Sequence, residues 1–266
     1  MAVFVSFSDE SSGKTERDTF LFGGWIGPLH DWDDFFVPAW DERVLAGPPR
    51  IPYLHVTDMR SAKWREKHSI TETDAESRMD QACVILDQLA NLHPVRIVMN
   101  AGDVRDDFRQ LKVVKNSKQF AASDFEPDYL GFLAYAWISL KYLAETHPEV
   151  EKLDFVVEEK NVVTKYIQYF HSGLPLALAA LGNPELGKLA GTLIPGDKYR
   201  LPLQAADLLS WHCARRERLE TMSKRDAARY RTIAYRKGIR IEFTKDMLRA
   251  LKTALSRYPQ PNTKSQ

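Results

Sequence analysis

The sequence predicts an α/β fold, a mixed β-sheet flanked by helices. Two early runs, 3–9 and 18–26, alternate as strands do, and the polar stretch 11–17 between them suits an antiparallel hairpin. Later apolar runs at 95–100 and 153–158 are separated by long segments with apolar residues at helical spacing, which suits crossover connections. The resulting order, β-β-α-β-α-β-α-β-α, is antiparallel first and crossover-connected afterwards.

In the first strand Val3, Val5 and Phe7 alternate with Phe4, Ser6 and Ser8 before Asp9-Glu10-Ser11 ends the run. Gly23-Gly24 in the second strand reads as a bulge, or else as a close approach of backbone. The aromatic segment 31–44 predicts a helix interrupted at Pro38, and 47–52 is a loop by its glycine and prolines. Residues 53–59 read as a short extended piece that places His55 and Asp58 three residues apart. Met79, Ala82, Cys83, Leu86 and Leu89 form the stripe of a helix over 71–91, which Thr71 or Thr73 can cap. Residues 103–124 are polar and irregular and read as a long loop. Leu130, Leu133, Ala134, Trp137, Ile138 and Leu143 predict a helix over 127–147, and 162–181 reads as largely helical, broken at Gly173 and Pro175. A short strand at 193–195, a helix from Pro202 to about Arg218 and a helix over 244–256 complete the chain.

With 266 residues, 44% hydrophobic and 27% charged, the chain has the composition of a globular protein with a sizeable core. Two cysteines without metal-ligand spacing exclude a disulfide framework and a structural zinc site. The start lacks the basic flank of a signal peptide, and no apolar run approaches the ~18 residues of a membrane helix. A cytoplasmic protein without a membrane partner is expected.

Carboxylates carry the chemistry. Asp9-Glu10 ends the first strand, and Glu158-Glu159 ends the run Leu153-Asp154-Phe155-Val156-Val157. Asp207 sits among Ala205, Ala206, Leu208 and Leu209, which implies burial, and a buried carboxylate is costly unless a cation or donor offsets it. Its position after Pro202 offers a milder account, an acid near a helix start. Taken singly, Asp9 also reads as a turn acid and Glu158 as a charged strand end. Together, acids on two strand ends and a helix suit hard divalent cations such as Mg²⁺ or Mn²⁺, two of which can clamp a phosphodiester. Glu159 is the alternative ligand to Glu158, on the opposite face of a regular strand. His55 is the candidate to deprotonate water or contact the phosphate, and also reads as a structural histidine. Glu10, Asp58 and Lys160 are candidates for supporting or phosphate-binding roles, and Gln204 for bridging its helix to the first strand.

The segments Asp9-Glu10-Ser11, Leu54-His55-Val56-Thr57-Asp58, Phe155-Val156-Val157-Glu158-Glu159 and Leu203-Gln204-Ala205-Ala206-Asp207-Leu208-Leu209 occur in that order. Over roughly residues 3–216 the chain thus resembles the bacterial family catalogued as "domain of unknown function 3800". The resemblance implies a ribonuclease H-like fold with acids on strands one and four and on a late helix, and a metal-dependent nuclease. The chain departs from the family pattern where Ser12 precedes Gly13 and where Glu158 stands in place of aspartate.

Residues 214–240 hold ten Lys/Arg against three acids, a local charge of +7 in a chain of net +1. Arg215, Arg216, Lys224, Arg225 and Arg229 are the candidates to track a nucleic-acid backbone, with Tyr230 and Tyr235 to stack on bases. A solvated helix face is the plain alternative. The expected organisation is a ribonuclease H-like domain at 1–216 and a basic helical extension at 217–266 packed on it. The expected function is two-metal hydrolysis of RNA or DNA. A non-catalytic nucleic-acid or protein-binding module and a DNA strand-transfer enzyme are its rivals.

Overall fold

The structure, a computed structural model, describes residues 2–11, 19–108, 113–115, 118–120, 127–159, 174–175, 177–179, 181–235 and 238–257. Its frame is a six-stranded sheet of β1 (Ala2–Ser11), β2 (Thr19–Pro28), β3 (His93–Asn100), β6 (Val150–Glu158), β7 (Ala190–Gly196) and β8 (Ile239–Phe243). The spatial order is β7-β6-β1-β2-β3-β8. β1, β6 and β7 are mutually parallel, β2 runs against both β1 and β3, and β8 is parallel to β3. Two three-residue strands, β4 (Val113–Lys115) and β5 (Lys118–Phe120), pair separately.

Alternation in the strands divides the core into two layers. Phe4, Phe20, Phe22, Ile97 and Phe155 face one layer, covered by α5 (Ala101–Phe108), α6 (Pro127–Thr146) and α9 (Lys245–Arg257). Val5, Phe7, Leu21, Trp25, Val98 and Val156 face the other. This second layer is closed by the helical segment 31–45, in which α1 (Val37–Trp40) lies between π-helical turns, and by α4 (Glu72–Gln88). α7 (Leu201–Glu217) and α8 (Lys224–Ala234) complete it. Trp25, Trp32 and Trp40 are fully buried there.

Several expectations change. Pro38 does not interrupt its segment, because it occupies the first turn of α1, where its missing N–H is harmless. Thr71 caps α4 in a reciprocal capping box with Asp74. The piece read as extended at 53–59 contains α2 (Val56–Arg60), followed by α3 (Ala62–Lys67). The 103–124 stretch begins inside α5, whose Asp103 N–H is capped by Asn100 Oδ1 at 2.9 Å. The region expected to be a helical extension supplies β8 to the central sheet, so part of 217–266 belongs to the frame itself. Most of the helix expected at 162–181 falls outside the described residues. No helix among the described residues is long and apolar enough to cross a membrane.

Candidate active site

Neighbouring parallel strands β1 and β6 pair Phe7 with Val156 and Ser8 with Val157. Continuing that register one step sets Asp9 beside Glu158. Strand alternation turns both toward the layer of Phe7 and Val156, the face that α7 covers. Glu159 belongs to the opposite face, is exposed, and donates its N–H to the Gly196 carbonyl at 2.7 Å. The pleat therefore turns Glu158, and not Glu159, toward the cleft.

α7 lies low over the sheet because of Gly23. This glycine pairs with Asp9 across β1 and β2 without a break in register, so no bulge forms there. A Cβ on Gly23 would stand 2.8 Å from Ser210 Oγ of α7. Through that gap Ser210 donates a hydrogen bond to the Asp9 carbonyl at 3.2 Å. Asp207, one turn earlier on α7, then faces the same end of the strands.

Asp207 lies beyond the first turn of α7, which begins at Leu201, so its own helix start does not explain it. Its Oδ2 accepts the Val56 N–H at 2.8 Å, capping the start of α2. That bond brings His55 over the cleft. His55 Nε2 stands 3.6 Å from Asp207 Oδ1, and Nδ1 stands 3.3 Å from Asp58 Oδ2, near but without hydrogen-bond alignment. Asp9, Glu10, His55, Glu158 and Asp207 line one cavity of about 270 Å³ together with Ser11, Thr57, Ser210 and Trp211.

Gln204 fixes the floor beside this cavity. Its Oε1 accepts from Trp40 Nε1 at 2.8 Å and from the Leu54 N–H at 3.0 Å, while its Nε2 donates to the Lys198 carbonyl at 3.0 Å. It therefore ties α7 to the His55 segment and not to the first strand. Lys198 escaped the sequence reading. It follows the end of β7, lines a small recess with Asp9, His55, Glu158 and Asp207, and donates to Tyr53 Oη at 2.9 Å. Tyr53 in turn donates to Asp58 at 2.9 Å, and its hydrogen bond with Lys198 raises the ammonium pKa above the ordinary lysine value. A strand drawn to Gly196 instead of Pro195 would have placed Lys198 at the carboxyl edge of the parallel strands, where α/β sheets carry their ligands.

The basic segment is largely committed elsewhere. Arg229 is 2% exposed and ion-paired with Glu76, Asp80 and Asp226, so it cannot track a nucleic-acid backbone as expected. Arg225 pairs with Asp80, which is also the origin of its raised pKa. Arg215 lies over the Trp211 ring, 4.8 Å from its centroid, and pairs with Glu220 at 3.1 Å. Arg216 and Lys224 are exposed, and Lys160 lies outside the described residues.

Carboxylate oxygens on a shared cleft are the donor chemistry that Mg²⁺ or Mn²⁺ takes. Among the described residues, however, no three His, Cys, Asp or Glu side chains stand together as a ready coordination shell. An ion held here would have to draw Asp9, Glu158 and Asp207 closer than they stand. No protein-family model, curated protein or solved structure matches the chain.

Proposed function

We propose that this chain is a metal-dependent nuclease that hydrolyses nucleic-acid phosphodiesters at the cleft between β1, β6 and α7. One observation carries the reading: Asp9, Glu158, Asp207 and His55, from four separate parts of the chain, line the same cavity. A ribonuclease H-like fold is part of this proposal. It is supported by a central first strand flanked by its antiparallel hairpin partner and by a parallel strand that ends in acid.

Asp9, Glu158 and Asp207 would hold one or two Mg²⁺ or Mn²⁺ ions. Such ions supply Lewis-acid stabilisation of the charge that develops on a phosphodiester under attack. His55 takes the proton of the attacking water at Nε2, and Asp58 stands on the other side of the ring, 3.3 Å from Nδ1. Lys198 places a cation at the rim for a phosphate oxygen.

The test compares the native chain with Asp207→Asn on labelled RNA, DNA and hybrid in Mg²⁺ or Mn²⁺. Asparagine keeps an oxygen for the Val56 N–H, so the fold should persist while cleavage falls about a hundredfold or more, as for loss of a charge-stabilising group. Equal cleavage by both proteins, or none by either on any substrate, overturns the proposal. The separated carboxylates favour one rival, a non-catalytic binding module. A module of that kind would bind Mn²⁺ equally well before and after Asp9→Ala in calorimetric titration.

A further inference from the structure

The α7 helix has a second site at its other end. Asp9 pairs with Gly23, Gly23 with Arg96, and Arg96 with Arg240, so these four residues form one row across the sheet. Above the Arg96 and Arg240 end of that row is a cavity of about 410 Å³ between α7, α8, β3 and β8. Arg96, Arg216, Arg240, Glu217, Tyr230 and Tyr235 line it.

Arg96 is the anomaly. It is 6% exposed, its Nε has no hydrogen-bond partner, and no carboxylate lies within ion-pairing distance among the described residues. Its Nη1 reaches the Cys213 sulfur at 3.8 Å, and the Tyr230 hydroxyl is the other neutral group beside its guanidinium. The contrast within the cavity is direct: Arg240 is held bidentate by Glu217 at 2.9 and 2.7 Å, with Glu242 as a third contact. A buried guanidinium without an anion is unfavourable, and guanidinium groups suit phosphate oxygens bidentately. Arg216 adds an exposed cation at the rim. Two tyrosines stand edge-on to each other, centroids 5.7 Å apart, and Tyr235 is 72% exposed. Leu219, 87% exposed at the mouth, adds an apolar surface.

We propose that this cavity binds a nucleoside phosphate, with its phosphate on Arg96 and Arg216 and its base against Tyr235 and Leu219. The ligand is either a free nucleotide or one unit of a strand whose neighbouring phosphodiester lies in the acidic cleft. Arg96 is two strands from Asp9, roughly 10 Å at the usual strand spacing, which one bound strand can bridge. Only the strand form rests on the nuclease reading.

The experiment is calorimetric titration of the full chain, without divalent ions, using AMP, inorganic phosphate and a ten-nucleotide single strand. Saturable AMP binding is expected, weakened roughly tenfold by Arg216→Ala through loss of one charged phosphate contact. Tyr235→Ala should weaken AMP by roughly five- to tenfold through lost stacking, and leave inorganic phosphate unchanged. Arg96→Met should abolish binding; if that variant does not fold, Arg216→Ala and Tyr235→Ala carry the test. Mutual competition between AMP and the oligonucleotide identifies a strand unit, whereas AMP binding without competition identifies a free nucleotide. Asp207→Asn should bind AMP as the native chain does, so nuclease failure with intact, Arg216-dependent binding removes only the nuclease reading. The proposal is overturned by absence of saturable binding of AMP and oligonucleotide alike. It is equally overturned by binding that Arg216→Ala and Tyr235→Ala leave unmoved, or that Asp207→Asn alone abolishes.

Discussion

Gln204→Met isolates the hydrogen bonds that hold the His55 segment to α7. The two side chains have similar length and volume, so the exchange opens little cavity. Methionine offers only a weak thioether acceptor to Trp40 Nε1 and the Leu54 N–H. Both donors belong to residues at most 1% exposed, so water cannot replace the lost oxygen without loosening the segment. Each orphaned buried donor costs about 1–3 kcal/mol, and the apolar gain of burying a methionine at a site 3% exposed returns about 1 kcal/mol. The net loss is therefore about 1–5 kcal/mol, a sizeable part of the ~5–15 kcal/mol that stabilises a typical domain. Urea unfolding followed by circular dichroism measures it, with an unchanged slope to show that the same cooperative unit unfolds. Amide exchange of a peptide spanning 53–60 should accelerate more than exchange in β1. A stability loss below about 0.5 kcal/mol would refute the assignment of Gln204 as the clamp.

Two further outcomes follow from buried ionisable groups. Burial favours protonation of Asp226, but the His212 ring 3.6 Å away, the Arg60 guanidinium and the Ser223 hydroxyl override it and hold the carboxyl well below its usual range. Its contribution to stability is then complete above the unfolded value near ~3.9 and is lost as pH falls toward the depressed folded value. Urea midpoints should hold from pH 7 to 5 and fall below pH 4, with a shallower fall in Asp226→Asn; parallel curves would reject this. Burial pushes the Cys83 thiol up to about 12 and the Cys213 thiol to about 11, so neither should react with a thiol reagent at pH 8 in the folded chain. Both should react once urea unfolds it, and rapid native labelling would contradict their burial.

What the sequence revealed, and what it concealed, divides by range along the chain. β1, β6 and α7 were legible because alternation and helical spacing are local signals, and each carries its acid inside the element that positions it. α2 was not legible. Its β-branched start, Val56-Thr57, is poorly helical alone, and Asp207, 151 residues away, caps its first N–H. β8 alternates Ile239, Ile241 and Phe243 with Arg240 and Glu242, but its brevity and the surrounding charge hid that pattern. The basic run misled for a related reason. Arg225 and Arg229 are matched by Asp80 and Glu76, about 150 residues earlier, and only the packing of α8 on α4 brings those charges together.

The same packing explains why the two candidate sites fall in register. In α7, Asp207, Ser210, Cys213 and Glu217 lie at intervals of three or four residues, a single stripe down the helix. Ser210 meets the Gly23 position, Cys213 meets Arg96, and Glu217 meets Arg240. The Asp207 end of that stripe faces the cleft of Asp9 and Glu158. Ten residues of helix span about 15 Å, and three strand spacings from β1 to β8 span about 14 Å. The helix and the strand row therefore keep pace from the acidic cleft to the arginine cavity. A shift of α7 by one turn would unmatch every contact at once, so the position that permits its close approach, Gly23, governs both sites although it has no side chain to offer either.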